Sequence, residues 1–282
     1  MSLYTVARDD FTNARRSFVV LGVIGVFTLM VALIVGLDSG HHPDLYRALF
    51  DVSFFLFLVF PIIIAPLAYL SITGDRSSGA ITFSMGLPNS RAEYVFGKLL
   101  SRLGVALAAV LVGMAVALAI AFATYTNAPD LVRFGKFTLI TLLFSFSFIG
   151  IFVGISATTA NRSRAMLGVF GAYFLLVPFW FGFLPVVGLP ALLNTASDLL
   201  GVTISESTTG LIRSLSPATS YLFGTEMVYS GVVDSYPMIQ QNFGETPDKF
   251  YMRFWFNSLV MFVWGAGSML VGYLSFRRSE LG

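Results

Sequence analysis

The chain has no cysteine and few charged residues. Its 282 residues include no Cys, and Asp, Glu, Lys and Arg together make up only 11% of them. Without Cys there is no disulfide framework, thiolate metal site or thiol nucleophile. The formal net charge of +2 is small and the basic residues are scattered, so we expect no nucleic acid among the partners.

What the chain has in abundance is apolar sequence. Hydrophobic residues make up 56% of it, and the mean hydropathy is +0.80. A helix needs about 20 apolar residues to cross the ~30 Å hydrocarbon core of a bilayer. Six runs qualify, at residues 18–37, 48–73, 103–124, 137–157, 165–190 and 254–276. The sequence therefore predicts an all-α polytopic membrane protein, with a single transmembrane domain over residues 1–282.

Two of these runs have special features. Pro61 and Pro66 lie within the second run, which predicts a kinked span whose bend is either fixed or a moving part. The first run has no convincing cleavage site after it, so we expect it to stay in the membrane as an anchor.

The distribution of Lys and Arg predicts the orientation. With both termini in the cytoplasm, the inside segments hold eleven of the 17 basic residues and the outside segments hold six. We therefore expect a multi-pass protein of the plasma membrane with both termini cytoplasmic and a long outside segment over residues 191–253. That segment is too long for a simple turn and too apolar for disorder, which favours short surface or re-entrant helices.

Apart from Asp51 near the start of the second run, the predicted spans contain no Asp, Glu, Lys, Arg or His, which argues against proton- or sodium-coupled transport. The chain also lacks HExxH and any evident catalytic set at membrane depth. Gly97 and Lys98 do not form an ATP-binding Walker A motif, since the upstream Gly and the following Ser or Thr are missing. We therefore expect no enzyme activity and no cofactor in this chain; any ATP and Mg²⁺ would be bound by a partner.

The two histidines, His41 and His42, lie in the first outside loop near Asp38 and Asp44. Such a group could bind a metal weakly, but an adjacent pair in a short loop is more often solvated polar sequence. We predict no metal site.

Small residues recur at four-residue spacing in the third and fourth spans. Such stripes allow two helices to approach closely in lipid. Close packing within the chain and a subunit interface are the two possible uses. The candidate residues are Ala109, Gly113, Ala117, Gly150 and Gly154, and a second stripe holds Ala115, Ala119 and Ala123.

Before the first span, apolar residues from Leu3 to Phe18 recur at helical spacing, with charged residues mostly elsewhere around the wheel. This pattern predicts an amphipathic helix on the inner membrane surface. A partly ordered tail is the alternative.

Between the second and third spans, residues 74–102 predict a compact helical hairpin in the cytoplasm. A short surface helix should end near Gly86, with Pro88 closing it. Ser90 and Glu93 form a capping-box pattern that starts the next helix. The short helix is rich in apolar residues, namely Ala80, Ile81, Phe83, Met85 and Leu87.

This segment resembles the cytoplasmic hairpin of type-2 ABC transporter permeases, the ABC-2 exporter family. The matching residues are Asp75, Arg76, Gly79, Leu87, Pro88, Ser90, Arg91, Glu93, Gly97 and Lys98. The chain departs from the pattern in having Asp75 where many members have Glu, and Thr82, Phe83 and Ser84 in place of a bulkier aliphatic run. The resemblance extends over essentially the whole chain, including the helix before the first span and the segment "LSPATSYLFG" at residues 215–224.

The resemblance implies a mechanism. In that family the hairpin is the coupling helix, two permease subunits pair, and each docks on a separate ATP-binding subunit. Phe83, Met85 and Leu87 would fill a groove of the ATPase, with Arg76 and Arg91 at the rim. Burial at the membrane surface is the competing explanation for these apolar residues. The full docking set is Asp75, Arg76, Gly79, Ile81, Phe83, Met85, Leu87, Pro88, Arg91 and Glu93.

The resulting expectation is the permease subunit of an ATP-driven exporter. It would form a homodimer or a heterodimer with a second permease subunit in the lipid bilayer. A non-transporting scaffold or sensor that binds the same kind of ATPase is the alternative, and an intramembrane enzyme is a third reading without a visible catalytic set. The sequence does not identify the substrate.

Overall fold

A computed structural model describes residues 3–14, 17–86, 90–183, 187–243 and 249–279 of the chain. Every regular element in these ranges is a helix, as the sequence predicted. The first seven α-helices are α1 (Leu3–Ala14), α2 (Phe18–Asp38), α3 (Tyr46–Ala68), α4 (Thr73–Ser78), α5 (Ala80–Gly86), α6 (Arg91–Thr124) and α7 (Leu131–Thr158). The remaining ones are α8 (Arg162–Phe174), α9 (Leu189–Leu200), α10 (Glu206–Ser214), α11 (Pro217–Gly224), α12 (Glu226–Tyr229), α13 (Pro237–Phe243) and α14 (Phe254–Arg278).

Five helical stretches of the described residues are long and apolar enough to cross a membrane. They are Phe18–Asp38, Tyr46–Ser78, Arg91–Thr124, Leu131–Thr158 and Phe254–Arg278. Each contains one of the predicted spans completely. The second stretch remains helical through Pro61 and Pro66, both of which lie inside α3.

The fifth predicted span, at residues 165–190, differs from the prediction at its C-terminal end. Helix α8 is followed by a π-helical turn at Leu175–Phe179, with Pro178 inside it. A π turn accommodates a residue that has no backbone N–H to donate. Helical structure ends at Phe181, and the next residue, Gly182, has a φ of 88°.

The turn of the chain at Gly182 explains why Pro190 does not belong to this span. A side chain at Gly182 would lie 2.7 Å from Pro190 Cγ, so only glycine fits at this close approach. Pro190 instead lies in the first turn of α9, where its missing N–H has no cost. The end of the predicted span is therefore part of a separate helix.

Polar side chains cap the starts of several helices. Ser17 accepts a hydrogen bond from the Val19 N–H at the start of α2, and Asp130 accepts from the Arg133 N–H at the start of α7. Asn161 does the same for Arg164 at the start of α8. Such caps satisfy backbone donors that have no partner within the helix.

The centre of the bundle contains a line of aromatic rings from four helices. Phe27 of α2 lies edge-on to Phe60 of α3, with ring centroids 5.5 Å apart. Phe60 contacts Phe144 of α7, and Phe144 stacks on Tyr221 of α11 at 4.4 Å. These rings hold the four helices together through dispersion and quadrupole contacts.

The position of Tyr221 shows that part of the segment 191–253, for which surface or re-entrant helices were predicted, enters the bundle. Ala218, Thr219 and Tyr221 of α11 are all fully buried, and the Tyr221 hydroxyl lies 3.1 Å from that of Thr141 in α7. By contrast, α9 has no buried residue. The region between the fifth and sixth predicted spans therefore combines one inserted helix with helices at the surface.

Candidate functional site

The predicted docking hairpin consists of α4 and α5, which connect α3 to α6. Gly79 separates the two short helices and has a φ of 77°, a left-handed conformation that favours glycine. The sharp turn at Gly79 gives the helices different directions within a few residues. The described part of the hairpin is helical, as the sequence predicted.

The apolar residues of α5 divide into inward and outward positions. Ile81 is 3% exposed and belongs to the core of the protein. Met85 is half-buried and packs against this core. Phe83 is 84% exposed. Leu87 and Pro88 lie outside the described residues.

Asp75 connects the hairpin to two other helices. It accepts a hydrogen bond from the Tyr94 hydroxyl of α6 at 2.6 Å, and Lys98 Nζ lies 2.8 Å from its carboxylate. Lys98 also contacts Asp10 of α1, at 2.7 Å. One ammonium group therefore holds two carboxylates from different parts of the sequence.

Helix α1 is placed by this ion pair and by close packing. Arg102 adds a second contact to Asp10, at 3.2 Å. A side chain at Gly97 would lie 2.7 Å from Val6 Cγ1, so the absence of one lets α1 approach α6. The predicted N-terminal helix is present, and its described part is fixed to the helix that follows the hairpin.

The two arginines predicted at the rim lie near the end of α14. Arg91 Nη1 is within hydrogen-bond distance of three carbonyl oxygens, those of Phe276 (3.1 Å), Arg277 (2.6 Å) and Ser279 (2.9 Å). The Arg76 guanidinium lies 5.7 Å from the centre of the Phe276 ring. A cation at a helix C-terminus satisfies its free carbonyls and its dipole.

Sequence reasoning missed this contact between the hairpin and α14. Arg91 and Phe276 are 185 residues apart, so no local pattern links them. The one general rule that could have indicated this contact is that helix C-termini favour cations.

Glu93 has a structural role at the start of α6. It accepts hydrogen bonds from the Ser90 N–H and hydroxyl, both at 2.8 Å, while its own N–H donates to Ser90 Oγ at 3.1 Å. The predicted capping box is therefore confirmed. It fixes the point at which the hairpin becomes the long helix α6.

The five small residues of the first stripes contact other helices of the same chain. Ala109, Gly113 and Ala117 are buried in α6, with Gly113 against Phe27 of α2. Gly150 and Gly154 are buried in α7 and face the backbone of α14. The second stripe, Ala115, Ala119 and Ala123, is exposed on α6.

His41 and His42 do not belong to a metal cluster in the part of the chain that the structure describes. His42 Nδ1 lies 2.7 Å from Asp38 Oδ1, and Tyr125 donates a hydrogen bond to the other oxygen of Asp38. His41 Nδ1 lies 3.0 Å from the carbonyl oxygen of Leu37. The pair therefore closes the end of α2.

These features define a class of protein, a multi-pass helical membrane protein with a structured hairpin between its second and third long helices. A family model described as "ABC-2 family transporter protein" matches residues 4–281. A comparison with curated proteins gave no significant match. The chain belongs to the ABC-2 transporter family and is a membrane permease subunit of that class, whose members associate with an ABC ATP-binding subunit.

Proposed function

We propose that this chain is the permease subunit of an ATP-driven exporter whose α4–α5 hairpin docks on a separate ATP-binding subunit. The observation that carries the docking proposal is the 84% exposure of Phe83. A large apolar side chain on a rigid projection is the type of anchor that fills a pocket of a partner protein. Membership of the ABC-2 family supplies the kind of partner.

The polar contacts that connect the hairpin to other helices agree with a role in force transmission. Asp75 and Lys98 connect the hairpin to α6 and, through Asp10, to α1. Arg91 connects the start of α6 to the end of α14. A partner that moves the hairpin would thus act directly on the helices that continue into the membrane.

We further propose six spans, with helix α8 and the π turn forming the fifth. Residues 162–181 are continuously helical, and 20 residues at about 1.5 Å each reach about 30 Å, the thickness of the hydrocarbon core. Both termini and the hairpin then lie in the cytoplasm, as the distribution of Lys and Arg favours. Residues 1–282 form one permease domain in the plasma membrane, which pairs with a second permease subunit.

Copurification tests the docking proposal directly. The tagged chain is coexpressed with a candidate ABC ATP-binding subunit from the same organism, extracted in mild detergent and purified. We expect the ATP-binding subunit to copurify, and inside-out vesicles with both subunits to accumulate substrate only with ATP. Absence of the subunit from the purified material under conditions where both are expressed would contradict docking.

The predicted orientation can be measured because the chain has no native cysteine. Ser78 in α4 and Ser207 in α10 are both exposed. In intact cells, a membrane-impermeant maleimide should label Ser207→Cys, whereas Ser78→Cys should react only after permeabilisation. The reverse pattern would show that the orientation is inverted, and labelling of both in intact cells would contradict the six-span topology.

A further inference from the structure

A cavity of about 400 Å³ lies at the end of the bundle opposite the hairpin. It is lined by residues of α3, α10, α11 and α13 and by those around Phe181 and Tyr251. Phe50 and Phe54, in the first turns of α3, form part of its wall. Its volume lies within the range of pockets that bind small molecules.

Among the described residues, a basic side chain of the cavity, Arg213, has no carboxylate partner. Arg213 lines the cavity, and the Arg213 Nε atom is buried with no hydrogen-bond partner. The six ion pairs found among the described residues do not include Arg213. Burial lowers the pKa of its guanidinium, but an arginine remains charged in proteins. The Arg213 residue is half-buried, and a charge partly withdrawn from water is costly unless it is paired.

Aromatic rings surround this charge. The Arg213 guanidinium lies 5.2 Å from the centre of the Phe181 ring, and Phe54 and Tyr251 line the same cavity. A cation over a ring gains part of the lost solvation energy, but it leaves the Arg213 Nε–H without an acceptor. An oxyanion could accept this hydrogen bond and balance the charge, and the neighbouring rings could contact an apolar body.

The opening of the cavity is polar. Lys249 lines it and is half-buried, while Glu206, Gln241 and Asn242 are exposed at its margin. Among the described lining residues two side chains are basic and one is acidic, so the local charge favours an anion. The exposed margin also gives a ligand access from water.

We propose that this cavity is a binding site for a small amphipathic anion, whose carboxylate or phosphate group pairs with Arg213 and whose apolar body packs against Phe54 and Phe181. Two sources have this chemistry, a soluble organic acid and an anionic phospholipid. The proposal concerns binding alone and does not depend on docking of an ATPase or on export.

The test compares two probes of the same shape. The full chain is placed in phosphatidylcholine nanodiscs, and the binding of 2-naphthoate and of the uncharged 2-naphthamide is measured by equilibrium dialysis. The carboxylate should bind about tenfold more tightly or better, because hydrogen bonds to charged groups are the stronger ones. Arg213→Gln should remove this difference and leave 2-naphthamide binding unchanged.

Arg133 provides a matched control. Its guanidinium also lies 5.2 Å from an aromatic ring, that of Tyr46. It differs from Arg213 in contacting Asp130 at 3.3 Å and the Val228 carbonyl oxygen at 3.2 Å. Arg133→Gln should leave the preference for the carboxylate intact. An equal loss with both variants would show a general charge effect and overturn the proposal.

Folding of the variant is checked by thermal unfolding. The two hydrogen bonds that Trp180 donates to α10 end on the backbone oxygens of Ile212 and Arg213, so they do not need the Arg213 side chain. If Arg213→Gln unfolds, Arg213→Lys replaces it and should weaken carboxylate binding several-fold, since lysine lacks the planar fork. Unchanged carboxylate binding in a folded variant would refute the site.

Anionic nanodiscs distinguish the two ligand sources. If phosphatidylglycerol nanodiscs suppress 2-naphthoate binding to the wild type but not the residual binding of Arg213→Gln, the lipid headgroup occupies the site. If both nanodisc types give the same Arg213-dependent binding, the ligand is a soluble acid. Either result supports the oxyanion site, and absence of Arg213-dependent binding in both overturns it.

A carboxylate of the chain itself is the remaining possible occupant. Residues 244–248 join the lining residues Phe243 and Lys249 and carry Glu245 and Asp248. The double variant Glu245→Gln, Asp248→Asn should bind 2-naphthoate as the wild type does. If binding appears only in the double variant, the chain fills its own site and the ligand proposal is wrong.

Discussion

A chain carrying Phe83→Asp is expected to lose its association with the ATP-binding subunit while remaining folded. Truncation of a buried interface anchor costs about 2 kcal/mol or more, which corresponds to at least about 30-fold in affinity. Because Phe83 is 84% exposed in the free chain, the substitution removes no core contact. The measurements are copurification, a titration of the ATP-binding subunit and the thermal unfolding temperature.

Two further variants serve as controls for Phe83→Asp. Tyr4 of α1 is another exposed aromatic residue, 70% accessible, and Tyr4→Asp should leave the association intact. Ile81→Asp makes the same chemical change two positions away, where the side chain is buried, and should destabilise the chain itself. If Phe83→Asp binds as tightly as the wild type, Phe83 is not an anchor, and burial at the membrane surface becomes the better explanation for its exposure.

Gly150→Ala should destabilise the permease by about 1–3 kcal/mol, the usual cost of overpacking. A Cβ atom at Gly150 would lie 2.5 Å from the backbone oxygen of Gly265 in α14. Because the obstacle is backbone rather than a flexible side chain, α7 and α14 would have to move apart. The expected observation is a lower unfolding temperature and a lower yield of monodisperse protein.

Gly135→Ala is the matched control in the same helix. No atom lies within 4 Å of a Cβ atom built at Gly135, so this variant should be neutral or more stable by up to about 1 kcal/mol through helix propensity. Equal destabilisation by both substitutions would mean that the contact with α14 does not determine the effect. Unchanged stability of Gly150→Ala would show that the two helices are not closely packed in the membrane.

The long helices were predictable because hydropathy and helical rise are local properties. The starts of α2 and α14 fall where the predicted spans begin, at Phe18 and Phe254. The capping box at Ser90 and Glu93 was predictable for the same reason, since both of its hydrogen bonds connect residues three positions apart.

The prediction was wrong where a local pattern does not determine the course of the chain. Hydropathy continued the fifth span through Pro190, whereas the chain turns at Gly182 and begins another helix. The sequence predicted surface or re-entrant helices over residues 191–253, but it did not indicate which of them would insert, and α11 lies beside Phe144. Apolar composition identifies which residues avoid water, but it does not distinguish lipid from the interior of a bundle.

The candidate site was only partly predictable for the same reason. Exposure of Phe83 was expected, and its role as an anchor stays a prediction. The engagement of Asp75 by Lys98 and Tyr94 depends on how α4 lies across α6. Individual ionic contacts of this kind arise from tertiary packing, so a single sequence shows the charges but not their partners.

The contact of Arg91 with the end of α14 has a mechanical consequence. Helix α14 has 25 residues, which gives a rod of about 37 Å at 1.5 Å per residue. Arg91 donates a hydrogen bond to a backbone oxygen at the C-terminal end of α14. The middle of α14 packs closely against Gly150 and Gly154 of α7. A sideways displacement of the hairpin would therefore tilt α14 about its contacts with Gly150 and Gly154. The N-terminal end of α14 would then move in the opposite direction. Tilting of this kind would transmit a small displacement from one face of the membrane to the other without a charged residue inside the bilayer.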